Sequence, residues 1–149
     1  MNRKGQTTVE TALMIFLLFI LMVGIFDFGR AMYVKNTLNN AARSAAREAA
    51  VTGTINAAIV YNAGQLSTKN GTDKIQQKIH DGLIIFNQDD KDHSTATVRV
   101  YNSSNTETYP AVAGYTVVVN VTSPYKMVIS KLTPKISPTL TGTASMRYE

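Results

Sequence analysis

The side chains able to do acid–base or metal chemistry are few among the 149 residues, and they do not form a catalytic pattern. There is no cysteine, which excludes a disulfide scaffold, a thiolate metal site and a cysteine nucleophile. Of the two histidines, His80 lies on the polar side of a predicted helix and is expected to be solvated. The sequence has no glycine-rich phosphate loop and no Gly-x-Ser-x-Gly elbow. We therefore predict neither enzyme activity nor a cofactor.

The second histidine, His93, ends an acidic run over residues 89–93 that suggests a cation site. A calcium loop of the helix-loop-helix type needs glycine at its sixth position and glutamate at its twelfth. Counted from Asp90, those positions hold Thr95 and Tyr101, so the motif fails. The sequence predicts a solvated polar loop over residues 87–93 and no metal.

The chain is mildly basic: it has 15 Lys and Arg residues against 10 Asp and Glu residues, which gives a formal net charge of +5. The positive residues are dispersed, and the pair Arg43 and Arg47 has Glu48 beside it, as on an ordinary solvated helix face. We therefore predict no nucleic-acid partner.

Glu10 is the most informative single residue, because it stands directly before an apolar run. The segment Thr7-Thr8-Val9-Glu10 matches a capping box with Thr7 as the cap, which is a structural role. A carboxylate held at membrane depth is expensive unless a positive group reaches it, which is a functional role. That positive group would come from this chain or from a neighbour, and local chemistry leaves both roles open.

Every residue from Ala12 to Phe26 is apolar, inside an uncharged stretch of 16 residues between Glu10 and Asp27. A membrane-spanning helix needs about 20 apolar residues, with about 17 as the low end. A buried core helix in a chain this small would need a polar face, which this run lacks. A secretory signal peptide would be followed by a cleavage site of small residues, and none follows this run. The sequence therefore favours a retained membrane helix, predicted over residues 6–27.

Helical character continues to about Val51, with small and apolar residues at spacings of three and four. Small residues allow a second backbone to approach closely, and Gly53 is a natural stop. The whole helix would have about 45 residues and a length of nearly 70 Å. We predict that one series of residues, in both the apolar and the amphipathic half of this helix, packs against neighbouring elements. The series comprises Ala12, Leu13, Phe16, Leu17, Ile20, Gly24, Phe28, Ala31, Leu38, Ala42, Ala45 and Ala49.

The rest of the chain, residues 53–149, is predicted to be a small α+β head. Residues 54–72 read as a loop region with a short helix near 55–62, and residues 73–86 as a helix with Asp73 and Gln76 in a capping box. Alternating patterns predict three antiparallel strands, which we expect to lie against the second half of the long helix. These strands span residues 95–101, 115–122 and 140–148.

The N-terminus resembles a class III, type IV prepilin-like signal. Arg3 and Lys4 form a short basic leader, Gly5 stands at the cut, and Glu10 becomes the fifth mature residue before a retained hydrophobic helix. The resemblance implies that a prepilin peptidase cuts between Gly5 and Gln6. The leader, residues 1–5, would take two positive charges with it and lower the net charge to +3.

The chain is also similar to the TadE-like family of Flp/Tad pilus minor pilins. The segments that carry this similarity are Gly5 with Val9-Glu10, residues 24–30, residues 38–47 and, more weakly, residues 143–149. The resemblance implies a pilin-like fold: a long N-terminal helix, with 28–52 as its amphipathic continuation, packed on a small antiparallel sheet.

What the resemblance implies about function is assembly. The expected partners are other pilin or pseudopilin subunits, the prepilin peptidase, the pilus assembly platform and membrane lipid. The expected location is the inner membrane, crossed once with the C-terminal head outside, and then the extracellular pilus. Charge alone leaves the orientation open, because Arg30 and Lys35 offset the leader. Two alternatives stay open, the major subunit of a filament and a membrane-anchored binding module.

Overall fold

The structure, a computed structural model, describes residues 3–52, 55–67, 73–83, 86–127 and 138–149. A single continuous helix, α1, runs from Arg3 to Val51 over 49 residues. The predicted cap at Thr7 is wrong, because Thr7 lies inside the helix and its carbonyl accepts from Thr11 Oγ1 at 2.9 Å. The predicted stop at Gly53 lies outside the described residues, two positions beyond the observed helix end.

A four-stranded antiparallel sheet follows, with its strands in sequence order. The α+β fold with a long N-terminal helix and a small sheet is therefore confirmed. The three predicted strands are confirmed to within two residues, and the structure adds a fourth at one edge. The strands are β1 (Ile59–Tyr61), β2 (Thr95–Tyr101), β3 (Thr116–Pro124) and β4 (Thr139–Arg147).

The short helix predicted near residues 55–62 is wrong, because β1 lies there. Ile59 and Tyr61 pair with Val98 and Ala96 of β2, and Tyr61 is buried. Three residues are too few for an alternating pattern to stand out, so the partner strand decides the conformation.

Two helices complete the head. The helix α2 (Lys74–Gly82) begins at Asp73, whose Oδ1 accepts from the backbone N–H groups of Ile75 and Gln76, both at 3.0 Å. This cap was predicted, but the helix ends before residue 86. The predicted polar loop at 87–93 is wrong over one turn, which forms α3 (Gln88–Asp92).

The turn of α3 is fixed by a residue that follows it. The hydroxyl of Ser94 donates to the carbonyl of Asp90 at 2.7 Å and also contacts Ser123 Oγ at 2.9 Å. Both serines are fully buried, so this contact ties α3 to β3. A polar sequence thus becomes helical through a tertiary contact that local patterning does not show.

The core lies between the second half of α1 and one face of the sheet. Ala96, Val98 and Val100 of β2 are buried, as the alternation predicted. On the facing side, α1 contributes a stripe of residues that are fully buried. This stripe comprises Leu38, Ala41, Ala42, Ala45, Ala46 and Ala49.

Two glycines set how closely the head approaches α1. A Cβ atom built on Gly142 of β4 would lie 2.3 Å from the carbonyl carbon of Leu38 and 2.5 Å from the backbone nitrogen of Asn39. A Cβ atom on Gly82 would lie 2.5 Å from the Cβ of Ala41. The chain therefore needs glycine at both positions because α1 occupies the space of a side chain.

The hydrogen bond of Tyr61 gives a testable pH dependence. Its hydroxyl donates to Asp73 Oδ2 at 2.7 Å, and burial together with this carboxylate raises the pKa of Tyr61. In the unfolded chain the phenol titrates near pH 10.0, while in the folded chain it stays protonated. The stabilising contribution is therefore complete below pH 10.0 and is lost as the pH rises above it.

We expect Tyr61→Phe to lower the free energy of unfolding near pH 7 by about 1–2 kcal/mol, through loss of this bond. The same variant should lose stability less steeply than the unchanged chain above pH 10.0. Urea unfolding at a series of alkaline pH values measures both effects. An equally steep alkaline loss in the variant would contradict the assignment to Tyr61.

Candidate assembly site on the N-terminal helix

The first half of α1 presents an apolar surface that the head does not cover. The side chains of Leu13, Phe16 and Leu17 are 60–69% exposed, and Ile20 is 47% exposed. By length and composition α1 is able to cross a membrane, and its most apolar window is 0% buried. A core helix of a soluble protein would bury that window, so this surface needs lipid or other helices around it.

The predicted helix-packing positions divide between two environments. Leu38, Ala42, Ala45 and Ala49 are fully buried under the head. Two positions are half-buried, Gly24 and Ala31. Five positions at the start of the apolar run are exposed: Ala12, Leu13, Phe16, Leu17 and Ile20.

One position departs from the predicted stripe. Phe28 is 68% exposed and lies outside the contact between α1 and the head. The buried stripe begins further along the helix, with the half-buried Val34 and the buried Leu38. Phe28 therefore belongs to the exposed apolar surface.

The head instead reaches down to Asp27, which is only 5% exposed. The hydroxyl of Tyr125 donates to the Asp27 carbonyl at 3.1 Å, and the guanidinium carbon of Arg30 lies 5.8 Å from the centre of the Tyr125 ring. Burial raises the pKa of this tyrosine. Sequence patterning used Asp27 only as the boundary of the apolar run, because Tyr125 is 98 residues away and no local signal links them.

The residues predicted for processing and register lie near the N-terminal end of α1. Gly5, Gln6 and Glu10 are all exposed, and a Cβ atom on Gly5 would meet no other atom within 4 Å. The next cation along α1 after Glu10 is Arg30, 20 residues on, or about 30 Å along the axis. Along α1 itself, a positive group that neutralises Glu10 would therefore have to come from the N-terminal end of the helix.

The acidic run forms ion pairs with a lysine. Lys126 Nζ contacts Asp89 Oδ2 closely and lies 3.6 Å from Asp90 Oδ1. The Lys126 ammonium lowers the pKa of Asp89. Across the described ranges, no three His, Cys, Asp or Glu side chains are grouped so that they could hold a metal.

The two histidines lie in separate surroundings, and each is near one aspartate. His93 is 64% exposed, and its Nδ1 is 2.7 Å from the Asp89 carbonyl oxygen. The side chain of His80 is 21% exposed, and its Nδ1 is 3.5 Å from Asp81 Oδ1. Neither arrangement supplies a base and a nucleophile at a common point.

Residues 5–47 match the family of TadE-like proteins. This match confirms the resemblance drawn from Gly5, Glu10 and the segments 24–30 and 38–47. It covers α1 almost to its end and leaves the head without a family assignment. No curated protein and no solved structure matches the chain.

Proposed function

We propose that this chain, with its TadE-like segment at residues 5–47, is a minor pilin or pseudopilin of a Tad/Flp-type pilus. Its function is structural, and its mechanism is assembly through the N-terminal helix. The observation that carries the proposal is the uncovered apolar half of α1 on a helix whose other half is fixed to a folded head. The match of residues 5–47 to TadE-like proteins supports association with a Tad pilus.

Before assembly, the subunit waits in the inner membrane with the head on the outer side. Residues 12–26 are then in contact with lipid. A prepilin peptidase removes residues 1–5, and the assembly platform transfers the helix from lipid to a bundle of neighbouring helices. Apolar contacts with those helices replace apolar contacts with lipid, so the transfer has a small net free energy.

Glu10 sets the register in the bundle. Since the bundle is as apolar as the membrane, an unpaired carboxylate there is costly, and a neighbour is stable only where a positive group meets it. The amine that cleavage creates on Gln6 is such a group. A one-residue slip between neighbouring helices would separate the two charges by about 1.5 Å.

Mass spectrometry of the chain isolated from membranes tests the proposal. We expect a mature N-terminus at Gln6, and we expect Gly5→Leu to leave the leader in place because the signal needs glycine at the cut. Gly29→Leu is the matched control. A Cβ atom on Gly29 also meets no other atom within 4 Å, and this residue lies outside the prepilin-like signal.

An intact Met1 in the membrane fraction of the unchanged chain would contradict the pilin assignment. It would favour a head tethered to the membrane for ligand binding. Given cleavage, abundance in sheared surface filaments separates the two structural roles: a minor pilin is scarce there and a major subunit dominates.

A further inference from the structure

A cleft of about 240 Å³ lies where the head meets α1, just beyond the apolar run. One wall is the first turn of α1 past that run, with Arg30 and Tyr33. The opposite wall is made by α3 and by the segment that follows β3, which brings Lys126 and Tyr125. The proposed assembly function makes no use of this cleft.

The position of the cleft relative to the membrane follows from the geometry of α1. Arg30 stands four residues after Phe26, the last residue of the apolar run, which is about 6 Å along the axis. The headgroup layer on each side of the hydrocarbon core is about 5–8 Å thick. With the apolar run in the membrane, the guanidinium of Arg30 therefore lies among the lipid headgroups.

The aromatic residues of the cleft suit that depth. Tyr33 is 59% exposed on α1, and Tyr125 carries its hydroxyl to the Asp27 carbonyl while its ring lies against Arg30. Tyrosines are enriched where hydrocarbon gives way to headgroups, because one end of the side chain is apolar and the other is polar.

The charged lining residues that the structure describes sum to zero, but their two signs lie on different walls of the cleft. Arg30 is on the α1 wall, while Asp89 and Asp90 are on the α3 wall and share one ammonium, that of Lys126. His93, counted as neutral, lies 3.7 Å from Asp89 Oδ1. Among the described residues that line the cleft, two carboxylates with one lysine leave one negative charge on that wall, opposite the positive charge of Arg30.

We propose that this cleft binds the headgroup of a zwitterionic aminophospholipid of the ethanolamine type. The phosphate lies against Arg30, whose planar N–H groups suit phosphate oxygens. The ammonium lies against Asp89 and Asp90 and donates hydrogen bonds to their oxygens. This inference rests on the proposed placement of α1 in the membrane.

Other headgroups fit the same charges less well. A phosphatidylglycerol headgroup supplies the phosphate but has no cation for the carboxylate wall. A phosphatidylcholine headgroup has a cation, but its trimethylammonium has no N–H to donate. The ethanolamine headgroup is the one of these three that satisfies both walls.

Native mass spectrometry of the full chain in detergent, with the three lipids added in equal amounts, tests the proposal. We expect the phosphatidylethanolamine adduct to exceed each of the others by about two- to fivefold, the range given by exposed ion pairs. Arg30→Gln should remove that excess and also weaken phosphatidylglycerol binding. Lys35→Gln, an exposed cation on α1 outside the cleft, is the matched control.

A second pair of variants separates the two walls. Asp89→Asn with Asp90→Asn should lower phosphatidylethanolamine binding and leave phosphatidylglycerol binding equal or stronger, whereas Asp92→Asn on the same helix should change neither. Equal retention of the three lipids, or equal losses in Arg30→Gln and Lys35→Gln, would overturn the proposal.

Flotation with vesicles keeps this test separate from the proposed function. A chain that floats with vesicles of every composition but shows no headgroup preference overturns the headgroup site alone. A chain that floats with none of them contradicts the membrane placement of α1, and with it both proposals.

Discussion

Gly142→Ala is expected to lower the free energy of unfolding of the head by about 3 kcal/mol, the upper end of the usual range for overpacking. The new methyl group would lie 2.3–2.5 Å from three backbone atoms of Leu38 and Asn39. A helix backbone yields less readily than a flexible side chain, so β4 must move away from α1. That movement would also lengthen the bond from the Thr143 N–H to Asn39 Oδ1, now 3.2 Å.

Urea unfolding of the full chain in detergent, followed by near-ultraviolet circular dichroism, measures this loss. The signal comes from seven tyrosines in a chain without tryptophan, so it reports tertiary packing while α1 stays helical in the micelle. Ser145→Ala is the matched control, since Ser145 is an exposed neighbour in β4, and we expect a change within about 0.5 kcal/mol. Equal midpoints for the two variants would contradict the close approach of β4 to α1.

Glu10→Gln is expected to leave membrane insertion intact and to reduce incorporation into surface filaments about tenfold or more, a factor that corresponds to about 1.4 kcal/mol. The amide keeps the shape of the side chain but removes the charge, so the amine of Gln6 in the bundle loses its ionic partner. Comparing the subunit in sheared filaments with the subunit left in membranes gives the ratio directly.

Glu48→Gln is the control for this second prediction, because it is the same change on the same helix, in the half of α1 that packs on the head. Glu48 Oε1 accepts from Thr52 Oγ1 at 3.2 Å, and an amide oxygen accepts equally well. Incorporation of the Glu48 variant should match that of the unchanged chain. Normal incorporation of the Glu10 variant would contradict its register role while leaving the fold assignment intact.

The parts of the fold that were predictable are those with local, repeated signals. The long helix shows them in its apolar run and its alanine spacing, and β2 shows them in the alternation of Ala96, Val98 and Val100. The cap at Asp73 is predictable because it depends only on one side chain and on the backbone N–H groups of Ile75 and Gln76, which are close in sequence. The match to TadE-like proteins rests on the same stretch of strong local pattern, residues 5–47.

The parts that sequence patterning missed depend on contacts between distant residues. The strand β1 exists because β2 pairs with it, and α3 is held by the contact between Ser94 and Ser123. In β4 the alternating pattern passes through Gly142 as a gap in the apolar series, whereas in the structure the α1 backbone occupies the space that a side chain there would need. A glycine in the inward phase of a strand that faces an alanine-rich helix is the signal that would have revealed it.

The two glycine contacts have a mechanical consequence. Gly142 meets α1 at Leu38 and Asn39, and Gly82 meets it at Ala41, so β4 and α2 grip the helix within a single turn. A pull along the axis would have to slide the helix by about 1.5 Å per residue past these contacts, driving larger side chains into the gaps that glycine leaves. In the proposed bundle, tension on such helices would reach the head through these two glycine contacts, together with the buried stripe of α1 and the bond from Tyr125 to Asp27.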